Sequence, residues 1–222
     1  MGQSCTSIVV REWIRMENAT RNVYPCAEKF KGREIDCEDK NLLKELFLCL
    51  RTARKYVSVL PSEWELRELG CHEIYNIELI SDWTEVLSKA YTPGRKNVAE
   101  NAAKTLKYIL ESPRHCRDQV INKLVNEYNK RKKPEADITP IKKEIKDIVE
   151  HFEKIKERVS SPLILERTGN NELRVIDGNH RAIVGAVMCL EGHKSLTLRA
   201  YVGVKPINYA QILGILDNSS PS

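Results

Sequence analysis

Residues 179–190 read NHRAIVGAVMCL, and after the first three positions nearly every side chain is apolar. A helix that is apolar all round has no face to offer water, so other elements must pack on every side of it. This requirement constrains the chain more than any other feature. The segment follows a short strand, ELRVID (172–177), through Gly178, and Gly192 ends it. Asp177, Asn179, His180 and Arg181 therefore crowd the mouth of a buried element. A helix N-terminus leaves backbone N–H groups unpaired and carries partial positive charge, which makes it a natural seat for an anion. Gly178 lets a ligand approach the backbone closely, and His180 and Arg181 add donors for a phosphate. Asp177 could orient Arg181, hold a magnesium ion or cap the helix. A capped turn with His180 and Arg181 in solvent is the plainer reading, but an arginine there opposes the helix dipole.

The flanking pattern supplies a small sheet. PLILER (162–167) and ELRVID are joined by TGNN as a hairpin, and SLTLRAYVGV (195–204) alternates as a half-buried strand. Upstream, EIYNIELI (73–80) reads as a strand. RKNVAENAAKTLKYILE (95–111) and RHCRDQVINKLVNEYNKRKK (114–133) read as helices. TPIKKEIKDIVEHFEKIKERV (139–159) reads as one helix with Pro140 in its first turn and a stripe at Ile141, Ile145, Ile148, Phe152, Ile155 and Val159. In the first 70 residues SIVVREWI (7–14) reads as a strand. NLLKELFLCLRTARKYVSVL (41–60) and PSEWELRELG (61–70) read as helices, the second with Ser62 and Glu65 in capping-box register. A last helix is expected over 206–217.

The 222 residues, 41% hydrophobic and 30% charged, describe a soluble globular chain with room for one large or two small domains. No apolar run approaches a membrane span and no signal peptide is visible, so the expected setting is cytoplasmic with no membrane partner. MGQSCT fits the N-myristoylation pattern through Gly2 and Thr6. The seven cysteines show no zinc spacing and read as buried or free thiols of a reducing cytosol. Intracellular disulfides of a thermophile are the other reading, which the charge content suits. Residues 135–222 carry twelve basic and twelve acidic residues, so the whole net charge of +5 lies in residues 1–134. Arg114, Arg117, Lys123, Lys130, Arg131, Lys132 and Lys133 make the most basic stretch, a candidate nucleic-acid surface or a solvated helix end.

The run SPLILERTGNNELRVIDGNHRAIVGAVMCLEG resembles the core of the ParB/sulfiredoxin-like fold, in which a hairpin ends in a DGxHR motif and a buried helix. The likeness covers residues 137–204. It implies an α+β fold, a small mixed sheet with a buried helix, carrying a large mainly helical N-terminal region and insertion. The divisions are 1–71 for the helical region, 72–82 with 134–217 for the core, and 83–133 for the insertion. The DGxHR form is closest to the free serine kinase and ParB-like nuclease branch. Sulfiredoxins place a catalytic cysteine where this chain has Asn179, so their chemistry is not expected. The kinase likeness pairs IELI (77–80) with KKPE (132–135) and implies a phosphotransferase acting on a small hydroxyl compound with ATP or ADP and magnesium. Glu135 would be the base, and Asp177 and His180 would act with it. Gly178, Asn179, His180 and Arg181 would hold the phosphate, and Asp177 the metal. The alternative is a DNA-binding protein or nuclease using the same turn and the basic stretch, Lys130–Lys133 above all.

Overall fold

The computed structural model describes residues 3–21, 25–53, 59–61, 63–90, 94–132, 138–204 and 206–208. The chain is a mixed α+β protein and divides into two compact units, Met1–Arg67 with Tyr201–Ser222, and Glu68–Ala200.

In the first unit a short strand, β1 (Gln3–Cys5), leads directly into α1 (Thr6–Arg21), which packs on α2 (Lys40–Ala53). Val9, Val10, Trp13 and Ile14 lie on one helical face and are buried, as are Leu42, Leu46, Phe47 and Leu50 of α2. That spacing explains why SIVVREWI is helical here rather than the expected strand: helical geometry gathers all four on one side. Asp39 caps α2, its Oδ1 accepting from the N–H groups of Asn41 and Leu42 at 2.9 Å. The segment PSEWELRELG also departs from expectation, because Glu63–Gly70 forms strand β3. β1 pairs with it antiparallel (Gln3 opposite Glu65, Cys5 opposite Glu63), and the Val204 N–H donates to the Glu63 carbonyl. Trp64 is buried and donates through Nε1 to Thr6 Oγ1 at 3.3 Å, so tertiary partners override helix propensity. β2 (Val59–Pro61) pairs antiparallel with β7 (Pro206–Asn208). The expected final helix is thus a strand at 206–208, and 209–217 lies outside the described residues.

The second unit contains α3 (Cys71–Tyr75), α4 (Asp82–Lys89), α5 (Ala99–Glu111), α6 (Arg117–Lys132), α7 (Thr139–Glu150) and α8 (Phe152–Glu157). The hairpin β4 (Leu163–Arg167)–β5 (Leu173–Asp177), then α9 (Asn179–Leu190) and the start of β6 (Thr197–Gly203), complete it. β4 lies between β5 and β6. The hairpin over TGNN is present as expected, with Asn171 at φ 62°. The expected strand over 73–80 shrinks to a single bridging residue: Glu78 runs parallel to β5 opposite Arg174 and also bridges Val98. Residues 73–75 belong to α3 because the Glu73 carboxylate accepts from the Gly70 N–H at 3.2 Å and starts a helical turn there. The long helix expected over 139–159 is divided at His151, into α7 and α8.

The all-apolar helix is enclosed as its sequence demands. Ala182–Val187 and Cys189 are buried, and α9 packs against α5, α3 and α8. A Cβ on Gly185 would stand 2.7 Å from Leu198 Cδ1, so this glycine lets β6 close onto the helix. Each fully buried Ile or Val side chain here contributes about 1.5–3 kcal/mol relative to exposure.

The cysteines correct the free-thiol reading. Cys5–Cys37 and Cys26–Cys49 cross-link the first unit, Cys71–Cys189 the second, and Cys116 is the free cysteine. The partners lie 32, 23 and 118 residues apart, so no short spacing could announce them.

Candidate functional site at the start of the buried helix

A register irregularity delivers the motif. Leu165 pairs with Val175 but Ile164 with Asp177, which leaves Ile176 as an extra residue in β5. Such a bulge bends the strand and re-aims the residue beside it. Asp177 is buried at the end of the strand, and Gly178 turns the chain into α9 with φ 105° and ψ 24°. Glycine is favoured here, because a Cβ would meet Leu163 Cδ2 at 2.7 Å in a left-handed conformation that L residues resist. Gly178 has no side chain to offer the first turn, and no side-chain hydrogen bond caps this end among the described residues.

The four polar residues do different things. Arg181 folds back beneath the turn. Its guanidinium donates to Asp177 Oδ2 at 2.9 Å, to the Pro162 carbonyl at 2.6 Å and to the Ser161 carbonyl at 3.2 Å. Both charged side chains of that pair are 85–90% buried (15% and 10% exposed). Of the three roles open to Asp177, orienting Arg181 is the one this geometry displays. Asn179 donates through Nδ2 to Ser81 Oγ at 2.9 Å, while its Oδ1 is enclosed and meets no hydrogen-bond donor among the described residues.

His180 stacks on Trp83 of α4, with ring centroids 4.7 Å apart and planes 20° from parallel. Its Nε2 lies 3.7 Å from Glu144 Oε2 of α7, and the side chain is one quarter exposed. The ring is thus held by two elements besides its own.

A buried polar network fixes Ser81 and Trp83 in turn. Thr84 Oγ1 donates to the Ser81 carbonyl at 2.6 Å. Asn97 Nδ2 donates to the Leu79 carbonyl at 2.6 Å and to Thr84 Oγ1 at 3.2 Å, and Ser88 Oγ donates to Asn97 Oδ1 at 3.0 Å. On the outer side of β5, Arg174 Nε donates to Glu78 at 2.8 Å. That hydrogen bond outweighs burial and raises the guanidinium's pKa above its usual value.

Trp83, Ser81 and Glu144 are absent from the sequence-based site. Glu144 lies off the apolar stripe of its helix, and Trp83 opens a helix whose polar neighbours mask it; no motif marks either. Glu135 and Lys133 fall outside the described residues, and of Lys132 only the backbone is described. The other basic candidates are scattered in their engagements. Lys130 pairs with Glu127 at 3.1 Å, lowering the Glu127 pKa. Arg131 donates to the Ala90 carbonyl, and Arg117 to those of Leu110 and Ser112. Arg114 and Lys123 are exposed. Arg114 and Arg117 line a cleft of about 730 Å³ with Lys107, Lys146, Glu150 and Glu153. Asp147, Glu150 and His151 bring ligand atoms within 4.8 Å of one another at the end of α7. No helix among the described residues is long and apolar enough to cross a membrane.

Comparison with protein-family models, with curated proteins and with solved structures finds no match to this chain.

Proposed function

We propose that the chain is a nucleotide-binding phosphotransferase of ParB/sulfiredoxin-like fold that seats a phosphate on the N-terminus of α9 and transfers it to the hydroxyl of a small molecule. The carrying observation is the Gly178 turn: a strand bulge, a left-handed glycine where a Cβ would be strained and would crowd Leu163, and a twelve-residue helix whose start no side chain caps among the described residues. Backbone N–H groups and the helix dipole then favour an anion at Gly178–His180. His180, stacked on Trp83, stands beside that turn. Arg181 and Asp177 support the turn from beneath, so neutralisation of the phosphates falls to magnesium. Phosphoryl transfer depends mainly on positioning and charge neutralisation, for which such a site is adequate. Glu135 remains the base that the kinase resemblance implies. The cytoplasm is the compartment where nucleotide is available, and three disulfides would persist there in a thermophile.

Phosphorus NMR of the purified protein with magnesium and ATP or ADP, with and without L-serine, tests this reading. A phosphomonoester signal that requires serine supports the transferase. Nucleotide lines that broaden without turnover keep the phosphate site and remove serine as acceptor. Sharp, unchanged lines overturn the site, and duplex or single-strand affinity that falls steeply with salt would put a nucleic-acid function in its place.

A further inference from the structure

We propose that Asn97 is a positioning residue for the start of α9: through Leu79 and Thr84 it sets Ser81 and Trp83, the side chains that meet Asn179 and His180. What this does to a bound phosphate rests on the function proposed above, whereas the placement of those side chains rests on their contacts alone.

Ser81 stands at the N-cap of α4, where serine is a favoured capping residue. Its hydroxyl makes no cap there among the described residues and accepts instead from Asn179 Nδ2 at 2.9 Å. The Ser81 backbone is fixed by other means. Its carbonyl accepts from Thr84 Oγ1 at 2.6 Å and from the Thr84 and Glu85 N–H groups at 3.0 and 3.1 Å. Thr84 is fully buried, and its hydroxyl, with its one proton given to Ser81, accepts from Asn97 Nδ2 at 3.2 Å. Asn97 also closes on Leu79 twice: its carbonyl accepts from the Leu79 N–H at 2.8 Å, and its Nδ2 donates to the Leu79 carbonyl at 2.6 Å. Ser88 Oγ donates to Asn97 Oδ1 at 3.0 Å, so the hydrogen bonds from Ser88 through Asn97 and Thr84 to Ser81 all run in one direction. One side chain thereby grips residues 79 and 84, on either side of Ser81 and of Trp83, whose ring stacks on His180. The Leu79 carbonyl can only accept, so the amide must turn its nitrogen there. An ionised aspartate of the same shape would set an oxygen against that carbonyl and offer Thr84 no proton.

The test is ¹H and ¹⁵N NMR of the labelled full chain. In the unmutated protein the Asn97 side-chain amide protons should exchange far more slowly than those of exposed Asn170. Equal rates overturn the proposal and require no variant to fold. The His180 ring protons, assigned through His180→Gln, should carry a ring-current shift from Trp83. Asn97→Asp and Thr84→Val should shrink that shift, whereas Thr84→Ser, which keeps the hydroxyl, should preserve it. Ile121→Val, a buried change elsewhere in the unit, should leave it in place. A shift unchanged in folded Asn97→Asp and Thr84→Val proteins, or lost equally in Ile121→Val, overturns the proposal. Titrating MgADP separates this from the underlying function. Asn97→Asp and Thr84→Val should weaken its binding about tenfold, and Thr84→Ser should not. If the ring shift responds but MgADP moves no α9 resonance of the unmutated protein, the phosphate reading fails and Asn97 keeps its hold on the side chains. If MgADP binds and Asn97→Asp changes neither ring shift nor affinity, the positioning role fails alone.

Discussion

Between residues 1 and 67 two disulfides close loops of 32 and 23 residues, whereas between 68 and 200 a single one closes a loop of 118. Among its described residues the first unit has one pair of packed α-helices, and its segment at 31–39 is largely exposed. The second wraps a helix buried on all sides and secures its polar groups in a connected network. The first unit thus carries two cross-links to the second unit's one. The candidate site lies in the second unit, whose one cross-link ties the far end of α9 to α3.

Reduction should separate the two most widely. Loop-closure entropy assigns about 3–4 kcal/mol to each cross-link of the first unit, about 7 kcal/mol if they add, and about 5 kcal/mol to Cys71–Cys189. Hydrogen exchange under a thiol reductant should show α1 and α2 losing protection while α5 and α9 keep theirs. Equal loss in both would erase the distinction.

Next in size is Arg181→Met, expected to cost about 3–5 kcal/mol because it removes the cation bonded to a buried carboxylate. The half-exposed Arg174–Glu78 pair on the same strand should cost less than about 1 kcal/mol when broken. Denaturant unfolding of both variants, with Asp177→Asn added to recover part of the first loss, measures the contrast. Gly178→Ala should follow at about 2–4 kcal/mol, from its left-handed φ and the Leu163 contact. A loss under 0.5 kcal/mol would show that the turn tolerates a Cβ.

The smallest effect lies on the surface. Lys130 lowers the Glu127 pKa, so their attraction stabilises the fold above the usual carboxylate range and is lost as pH falls through the lowered value. Lys130→Met should remove that pH dependence and otherwise leave unfolding almost unchanged.

What the residues reveal depends on the range of the signal rather than on the unit. The hairpin, the buried helix and the Asp177–Arg181 cluster were legible because an uninterrupted apolar helix and a glycine turn are local signals. The Pro140 start of α7 was legible for the same reason. SIVVREWI and PSEWELRELG were misread because their state depends on partners far along the chain: α2 for the first, β1 for the second. The cysteine pairs were hidden for that reason too. Within the site, Arg181 was expected to face a phosphate, but its charge has a nearer partner in Asp177, four residues back on the other side of Gly178. Trp83 and Glu144 reach His180 only through tertiary packing, which no local pattern encodes.

The most direct measurement is a ¹H–¹⁵N backbone titration with MgADP. The expected result is saturable shifts that are largest at the amides of Gly178, Asn179, His180 and Arg181, with little change along Lys107–Ile121. Saturable shifts centred elsewhere, on the cleft lined by Arg114 and Arg117 for example, or none at all, would contradict a phosphate site at the start of α9.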